Sequence, residues 1–115
     1  MKRRRRAGVV SLWLLCSGAV LAHVHLHDSS PADGSRLSAA PAMLVLSFSE
    51  PAQLTSLSLQ QEQGLSWKLS TPPEAQLRLS VPLPPLAPGS YRLRWRALSR
   101  DGHVVPGEIR FSIAP

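Results

Sequence analysis

Two groups of side chains in this sequence have the types and spacing of metal ligands. Histidines alternate with other residues at His23, His25 and His27, and His103 follows Asp101 across a single glycine. Side chains in an extended strand point to the same side at every second residue, so the three clustered histidines would share one face. The carboxylate and imidazole of the second group can converge at a turn or strand end. Both groups therefore favour coordination through nitrogen and oxygen.

The beginning of the chain has the pattern of an export signal. Residues 2–6 are all basic, residues 7–21 form an apolar run, and Val20-Leu21-Ala22 fits a cleavage site. The run is shorter than the roughly 20 residues that a membrane-spanning helix requires. We therefore predict a signal peptide over residues 1–22, cleavage after Ala22 and export to the periplasm. An uncleaved N-terminal anchor is the alternative.

Cleavage at this position would turn the histidine cluster into a chelating end. His23 would become the first residue, and its free α-amine and imidazole can bind one ion together. His103 and Asp101 would add an imidazole and a carboxylate, and tetragonal nitrogen and oxygen coordination suits Cu(II). An α-amine has an ordinary pKa of about 7.7–8.0, so binding requires its deprotonation and weakens in acid. Histidine-rich termini also bind Zn(II) and Ni(II), which stay open as alternatives.

The sulfur content of the predicted mature chain gives little support to a Cu(I) site. Residues 23–115 contain no cysteine, and Met43 is their one methionine. Clustered thioethers and thiolates, the soft ligands that select Cu(I), are therefore absent from this part of the sequence.

The charge of the chain is concentrated in the predicted signal. The whole sequence has a formal net charge of +6, but residues 23–115 hold eight basic residues against seven carboxylates. A net charge of +1 argues against a nucleic-acid-binding protein. Arginines alternate with apolar residues over 91–97, which is typical of the solvated side of a sheet. An acidic partner for these arginines is the less favoured interpretation.

The elements that must position these ligands are strands. Apolar and polar residues alternate over 44–49, 56–60, 76–81, 91–97 and 109–113, and a further short strand is expected around Trp67 and Leu69. Proline and glycine separate these runs, notably at Glu50-Pro51, at residues 82–89 and at Asp101-Gly102. The pattern predicts one all-β domain over residues 23–115, a β-sandwich or barrel of about seven strands.

Several segments, in this order along the chain, resemble those of the CopC-type periplasmic copper-binding proteins. They are His-Val-His-Leu at 23–26, Ser-Ser-Pro-Ala-Asp-Gly at 29–34, Phe-Ser-Glu-Pro at 48–51, Leu-Ala-Pro-Gly-Ser-Tyr at 86–91 with Trp95-Arg96, and Ser-Arg-Asp-Gly-His at 99–103 with Gly107. The resemblance covers essentially all of residues 23–115. One departure is that Val104-Val105-Pro106 follows His103, where the family usually has proline directly.

The resemblance implies a Greek-key, immunoglobulin- or cupredoxin-like fold and one Cu(II) ion. Its ligands would be the amine and imidazole of His23 with Asp101 and His103. Glu50 and His25 are less certain ligands, and bracing of the turn at Pro51 is the favoured role for Glu50. The family resemblance also implies a copper carrier or buffer in uptake, homeostasis or resistance that catalyses nothing. Its partner would be a CopD-type copper transporter in the inner membrane, with the chain at most peripheral to that membrane.

Three alternatives stay open at this point. The first is an oxidative enzyme with copper at an N-terminal histidine. In the second, the amine, two backbone amides and the imidazole of His25 wrap the metal without Asp101 or His103. The third is a structural β-sandwich that binds no metal.

Overall fold

The computed structural model of the chain describes residues 24–62 and 64–115, and these form seven strands and no helix. The strands are β1 (Leu26–Ser30), β2 (Ser35–Leu37), β3 (Met43–Gln61), β4 (Ser66–Lys68), β5 (Gln76–Pro82), β6 (Gly89–Leu98) and β7 (Val104–Ile113). The predicted all-β fold of about seven strands is confirmed. The predicted signal peptide and His23 lie outside the described residues. Within those residues, no helix has the length and apolarity needed to cross a membrane.

Strand β3 belongs to two sheets. Its first part pairs antiparallel with β1 on one side and with β5 on the other. Its second part pairs antiparallel with β6 and β4, and the larger sheet continues from β6 to β7 and then to β2. The β2–β7 pairing is parallel, unlike the others. The architecture is therefore a curled pair of sheets, β1-β3-β5 and β4-β3-β6-β7-β2, that share one long strand.

The prediction that Glu50-Pro51 separates two strands is wrong, because β3 runs through both residues. The ladder with β5 has a register shift between Ser47 and Ala52, and pairing with β6 begins only at Gln53. Pro51 therefore lies where β3 leaves one sheet and joins the other. A residue without an N–H group is tolerated there because no ladder hydrogen bond is required of it.

The core consists of alternate residues from the paired strands, as the period of two predicts. Its buried apolar side chains are Val24, Leu44, Leu46, Phe48, Ala52, Leu54, Leu57, Leu59, Leu79, Val81, Leu86, Tyr91, Leu93, Trp95, Ala97, Ile109, Phe111 and Ile113. Leu77 is an exception, since it was expected in the core and is exposed. It lies in edge strand β5 next to the register shift, where β3 has no residue paired with it.

Trp95 connects β6 to its neighbours on both sides. Its ring meets that of Phe48 edge to face, with ring centroids 6.1 Å apart and planes at 77°. Gly107 lies opposite Trp95 in the β6–β7 ladder, and a Cβ atom placed on Gly107 would be 2.2 Å from Cε2 and Cζ2 of the indole. The indole therefore packs directly on the backbone of β7, and only glycine leaves room for it.

Replacing Gly107 with alanine should destabilise the fold through this contact. We expect Gly107→Ala to lower the free energy of unfolding by about 1–3 kcal/mol, the usual cost of overpacking a core. Urea denaturation measures this change. In a Trp95→Leu background the clash is relieved and most of the cost should disappear. Equal costs in the two backgrounds would contradict the proposed contact.

Candidate metal site

The loop between β6 and β7 is short and held by its own backbone. The N–H of Ser99 donates to the carbonyl of His103 at 2.9 Å, and the N–H of Gly102 donates to the carbonyl of Ser99 at 3.0 Å. Gly102 has a φ of 88°, a left-handed conformation that side chains other than glycine adopt at a cost. The Asp-Gly dipeptide therefore closes the hairpin tightly and fixes the positions of Asp101 and His103.

This loop brings Asp101 and His103 together. Nδ1 of His103 lies 3.1 Å from Oδ2 of Asp101, and their side chains are 65% and 45% exposed, respectively. A neutral imidazole can carry its proton on Nε2, which leaves Nδ1 as an electron-pair donor beside the carboxylate. The pair can therefore present an imidazole nitrogen to an ion from solvent.

Ser99 holds the carboxylate of this pair in place. The side chain is buried, and its hydroxyl is hydrogen-bonded to Oδ1 of Asp101 and lies 3.1 Å from the carbonyl oxygen of His103. The N–H of His103 also donates to Oδ1, at 3.3 Å. These contacts, the Ser99 hydrogen bond first, hold the pKa of Asp101 below its ordinary value. A carboxylate has about four acceptor sites, two on each oxygen, so Oδ2 keeps capacity for a metal.

Sequence reasoning gave Ser99 no role, although it lies two residues before Asp101. A serine near a turn commonly hydrogen-bonds a neighbouring backbone group, but its contact with the aspartate side chain follows from the closed hairpin. Composition and spacing alone do not show that contact.

The first described residues are fixed along β3. Val24 is 1% exposed and belongs to the core. The N–H of His25 donates to Oγ of Ser49 at 3.1 Å, and the carbonyl of His25 accepts a hydrogen bond from the N–H of Ser49 at 2.9 Å. The buried side chain of Val24 therefore anchors this part of the chain to the sandwich, and the His25 imidazole is exposed.

The expected single face of histidines is interrupted at His27. Leu26 lies opposite Phe48 and Asp28 lies opposite Ser47, so the register shifts at the residue between them. Such a bulge breaks the strict alternation of side chains along a strand. His27 is exposed, as is His25, but the two do not follow the simple period of two on which the expectation was based.

The bend of β3 lies between the N-terminal end of β1 and the β6–β7 loop. His25 is beside Ser49, before the bend, while the last β6 residue, Leu98, is paired with Gln53 after it. Glu50 lies at the bend and is half-buried. Its carboxylate forms no ion pair with the residues that the structure describes.

The described residues bring together two of the predicted ligands, Asp101 and His103. Over residues 24–62 and 64–115, no three histidine, cysteine, aspartate or glutamate side chains form a group that could hold a metal ion. His25 and Glu50 are thus not gathered around the Asp101–His103 pair. His23 lies outside the description, and its predicted role as a ligand stays a prediction.

Comparison with known proteins identifies the family. A family model described as the CopC domain matches residues 26–114. The chain belongs to the CopC family. Copper resistance protein C of Xanthomonas campestris pv. juglandis is 34% identical over 110 residues, which cover 86% of each chain. The crystal structure of CopC from Methylosinus trichosporium OB3b superposes with a TM-score of 0.69 at 30% identity, covering 81% of this chain and 95% of that one.

One CopC relative is a much longer protein. The copper transport protein CutJ of Bacillus subtilis is 31% identical over 120 residues, covering 98% of this chain but 22% of CutJ. Both names concern copper, and the resemblance to CopC-type proteins is confirmed by the family match. The CopC chain described here therefore has a function related to copper.

Removing the Ser99 hydroxyl should raise the pKa of Asp101 towards its ordinary value. In Ser99→Ala the hydrogen bond that contributes most to the lowered pKa is lost, so a higher pH suffices to protonate the carboxylate. An NMR titration of the Asp101 side chain without added metal measures the shift. Ser90→Ala, which removes an exposed serine on β6, serves as the control and should leave this pKa unchanged. An unaltered pKa in Ser99→Ala would contradict the assigned contact.

Proposed function

We propose that this CopC protein binds one Cu(II) ion in the periplasm and acts as a copper carrier or buffer, without catalysing a reaction. The observation that carries the proposal is the preformed Asp101–His103 pair, with Nδ1 and Oδ2 3.1 Å apart on a hairpin loop. The pair occurs in a chain whose relatives are named for copper resistance and copper transport. Cu(II) suits an imidazole and carboxylate site because it prefers nitrogen and oxygen ligands in a tetragonal arrangement.

The proposed ligands are the amine and imidazole of His23, an imidazole nitrogen of His103 and a carboxylate oxygen of Asp101. His23 precedes Val24, whose side chain is anchored in the core, and the adjacent His25 backbone is tied to Ser49. These contacts support a terminus that is positioned rather than frayed. Export with cleavage after Ala22 would supply the free amine that this site requires.

The same contacts argue against the alternative in which the terminus alone wraps the metal. That arrangement needs the backbone amide nitrogens of Val24 and His25 as ligands. The His25 N–H is already donated to Oγ of Ser49, and Val24 would have to leave the core. The proposal therefore does not use His25, and it also omits Glu50, which is half-buried at the bend of β3.

The burial of the aromatic residues favours a carrier over an oxidative enzyme acting on polysaccharides. Such an enzyme needs a broad surface, commonly with exposed aromatic rings, to hold its substrate. Among the described residues, Trp95 and Tyr91 are buried and Trp67 is half-buried. The Asp101 and His103 side chains are largely exposed, which leaves a bound ion open to transfer.

The proposed receiver of copper is a CopD-type transporter in the inner membrane. The match to CutJ supports this, because essentially this whole chain corresponds to about a fifth of a longer copper transport protein. In that relative, a CopC-like region is part of the same polypeptide as further segments. A separate chain could serve a separate transporter in the same way.

An extra residue at the terminus tests the proposed site. We expect the chain starting at His23 to bind one Cu(II) tightly, and a chain with one alanine added before His23 to lose more than about 100-fold in affinity. This loss would exceed the 10- to 100-fold typical of a residue that only orients a ligand. Titration with Cu(II), followed by electron paramagnetic resonance, measures both affinity and ligand set. Equal binding by the two chains would show that the amine is not a ligand.

Two histidine variants separate the proposed site from wrapping by the terminus. His103→Ala should weaken Cu(II) binding and alter its paramagnetic resonance spectrum, while His25→Ala should leave both nearly unchanged. His27→Ala is the matched control, because it removes another exposed histidine near the terminus. The reverse result, with binding lost in His25→Ala and kept in His103→Ala, would exclude the proposed ligand set.

A further inference from the structure

The outer side of the larger sheet collects most of the basic residues of the domain. Paired residues in neighbouring strands point to the same side, so the register decides which side chains meet. Arg92, Arg94 and Arg96 alternate with buried residues of β6 and therefore point outward. The register of the neighbouring strands places three further basic residues on the same side of the sheet. We call the resulting set the cationic face: Arg36, Lys68, Arg92, Arg94, Arg96 and Arg110.

Topology, rather than sequence proximity, assembles this set. Arg110 of β7 lies opposite Arg92, and Lys68 of β4 lies opposite Ser58, which itself lies opposite Arg94. Arg36 of β2 lies beside Ser112, the outward neighbour of Arg110. The cationic face thus extends over five strands, which at about 4.8 Å between strands gives a width of roughly 20 Å.

Charge is distributed unequally between this face and the rest of the domain. The face carries six basic residues and, beside them, three carboxylates, Asp33, Glu62 and Glu108, for a net charge of +3. The remainder of residues 23–115 has two basic residues, Arg78 and Arg100, and four carboxylates, for a net charge of −2. The net charge of residues 23–115 is therefore nearly zero, but the cationic face is positive and the rest of the surface is negative.

A single carboxylate organises half of the cationic face without neutralising it. Glu108 lies 3.1 Å from Nε of Arg94, 3.1 Å from Nε of Arg110 and 3.7 Å from Nε of Arg92. The pKa of Glu108 is held below its ordinary value, first by the hydrogen bond from Arg94, so it is ionised at neutral pH. Three guanidinium groups are thereby ordered around one negative charge, and two positive charges remain in excess.

Two shallow grooves cross the cationic face, and each is lined by arginines and serines. One groove is lined by Arg92, Arg110, Ser112 and Glu62 among others, and the second by Arg94, Arg96, Ser58 and Glu108 among others. Guanidinium groups are the usual recognition elements for phosphate oxygens.

We propose that the cationic face docks on an anionic phospholipid surface. Its charges are spread over a broad sheet face with small serines between them, which matches a plane of many phosphates better than one deep ligand pocket. The exposed large apolar side chains of the domain are Met43, Leu65, Leu77 and Val104, and none of them lies among the six basic residues. The contact is therefore electrostatic, at the level of the headgroups, and without insertion into the bilayer.

The opposite charge on the rest of the domain would orient this docking. An anionic surface attracts the cationic face and repels the remaining surface, so one side is presented to the membrane. The Asp101–His103 pair lies at the end of the sandwich, in the loop after β6, and not among the six basic residues. Docking would therefore leave the pair accessible beside the membrane. This proposal concerns lipid binding and does not require that copper binds.

Vesicle binding tests the proposal. The chain from His23 onward should be used, because it contains all seven strands and the described core but lacks the basic residues 2–6. Without added metal, it should sediment with phosphatidylcholine vesicles that contain phosphatidylglycerol and not with phosphatidylcholine alone. High salt should abolish the binding, because it screens exposed charges. Absence of a preference for the anionic vesicles would overturn the proposal and leave an acidic protein as the partner for this face.

Two double variants with equal charge loss show whether the face itself is responsible. Lys68→Gln/Arg96→Gln should lower partitioning into anionic vesicles by about tenfold, given the attraction of each basic residue near such a surface. Arg78→Gln/Arg100→Gln removes the same charge outside the face and should change partitioning by less than about twofold. All four residues are exposed, and none forms an ion pair with a described residue, so both variants should fold. Equal losses would mean that overall charge, not the face, governs binding, and would overturn the proposal.

Discussion

One strand has to satisfy hydrogen bonds in two sheets, and the rest of the fold is arranged around that requirement. The first part of β3 lies between β1 and β5, and its second part lies between β4 and β6. The change of partners requires a short stretch with few ladder bonds, and Pro51 lies in that stretch. Phe48, just before it, packs on Trp95 of β6, so the two halves of the sandwich are joined by side chains where backbone pairing is interrupted.

The same bend accounts for the location of the candidate metal site. β1 begins beside the last residues of the first part of β3, and β6 ends beside the first residues of the second part. The first described residues and the hairpin loop therefore lie on either side of the bend, against different sheets. The packing of Trp95 on Gly107 holds β6 and β7 together before the loop, and the hydrogen bond from Ser99 holds the Asp101 carboxylate within it. The Asp101–His103 pair and the cationic face thus lie on different parts of the surface.

Much of the fold could be predicted because its information is local. Alternation at Leu44, Leu46 and Phe48 reflects a strand with one buried side, and the same holds for β6 and β7. The errors come from positions where long-range pairing overrides the local pattern. Glu50-Pro51 resembles a turn but lies within a strand that changes sheets, and Leu77 faces solvent because its partner strand shifts register there.

The candidate site, like the fold, could be predicted only where its information is local. The spacing of Asp101 and His103 across a glycine is a local feature, and the structure places their side chains in contact. The bulge at His27 depends on pairing with β3, so three alternating histidines could not reveal it. The cationic face is still less visible in the sequence, because Arg36, Lys68 and Arg110 join the arginines of β6 only through the order of strands. Alternation along one strand predicts which way each side chain points. Which side chains become neighbours depends on the order of the strands in the sheet.

The burial of Val24 has a consequence for how the N-terminal segment can vary in length. An exopeptidase that shortens the exported chain would next have to extract a side chain that is 1% exposed and release the backbone of His25 from Ser49. Trimming beyond this point is therefore opposed by the free energy of the core itself. The length of the N-terminal segment is therefore limited by the core contact of Val24, whatever lies before it.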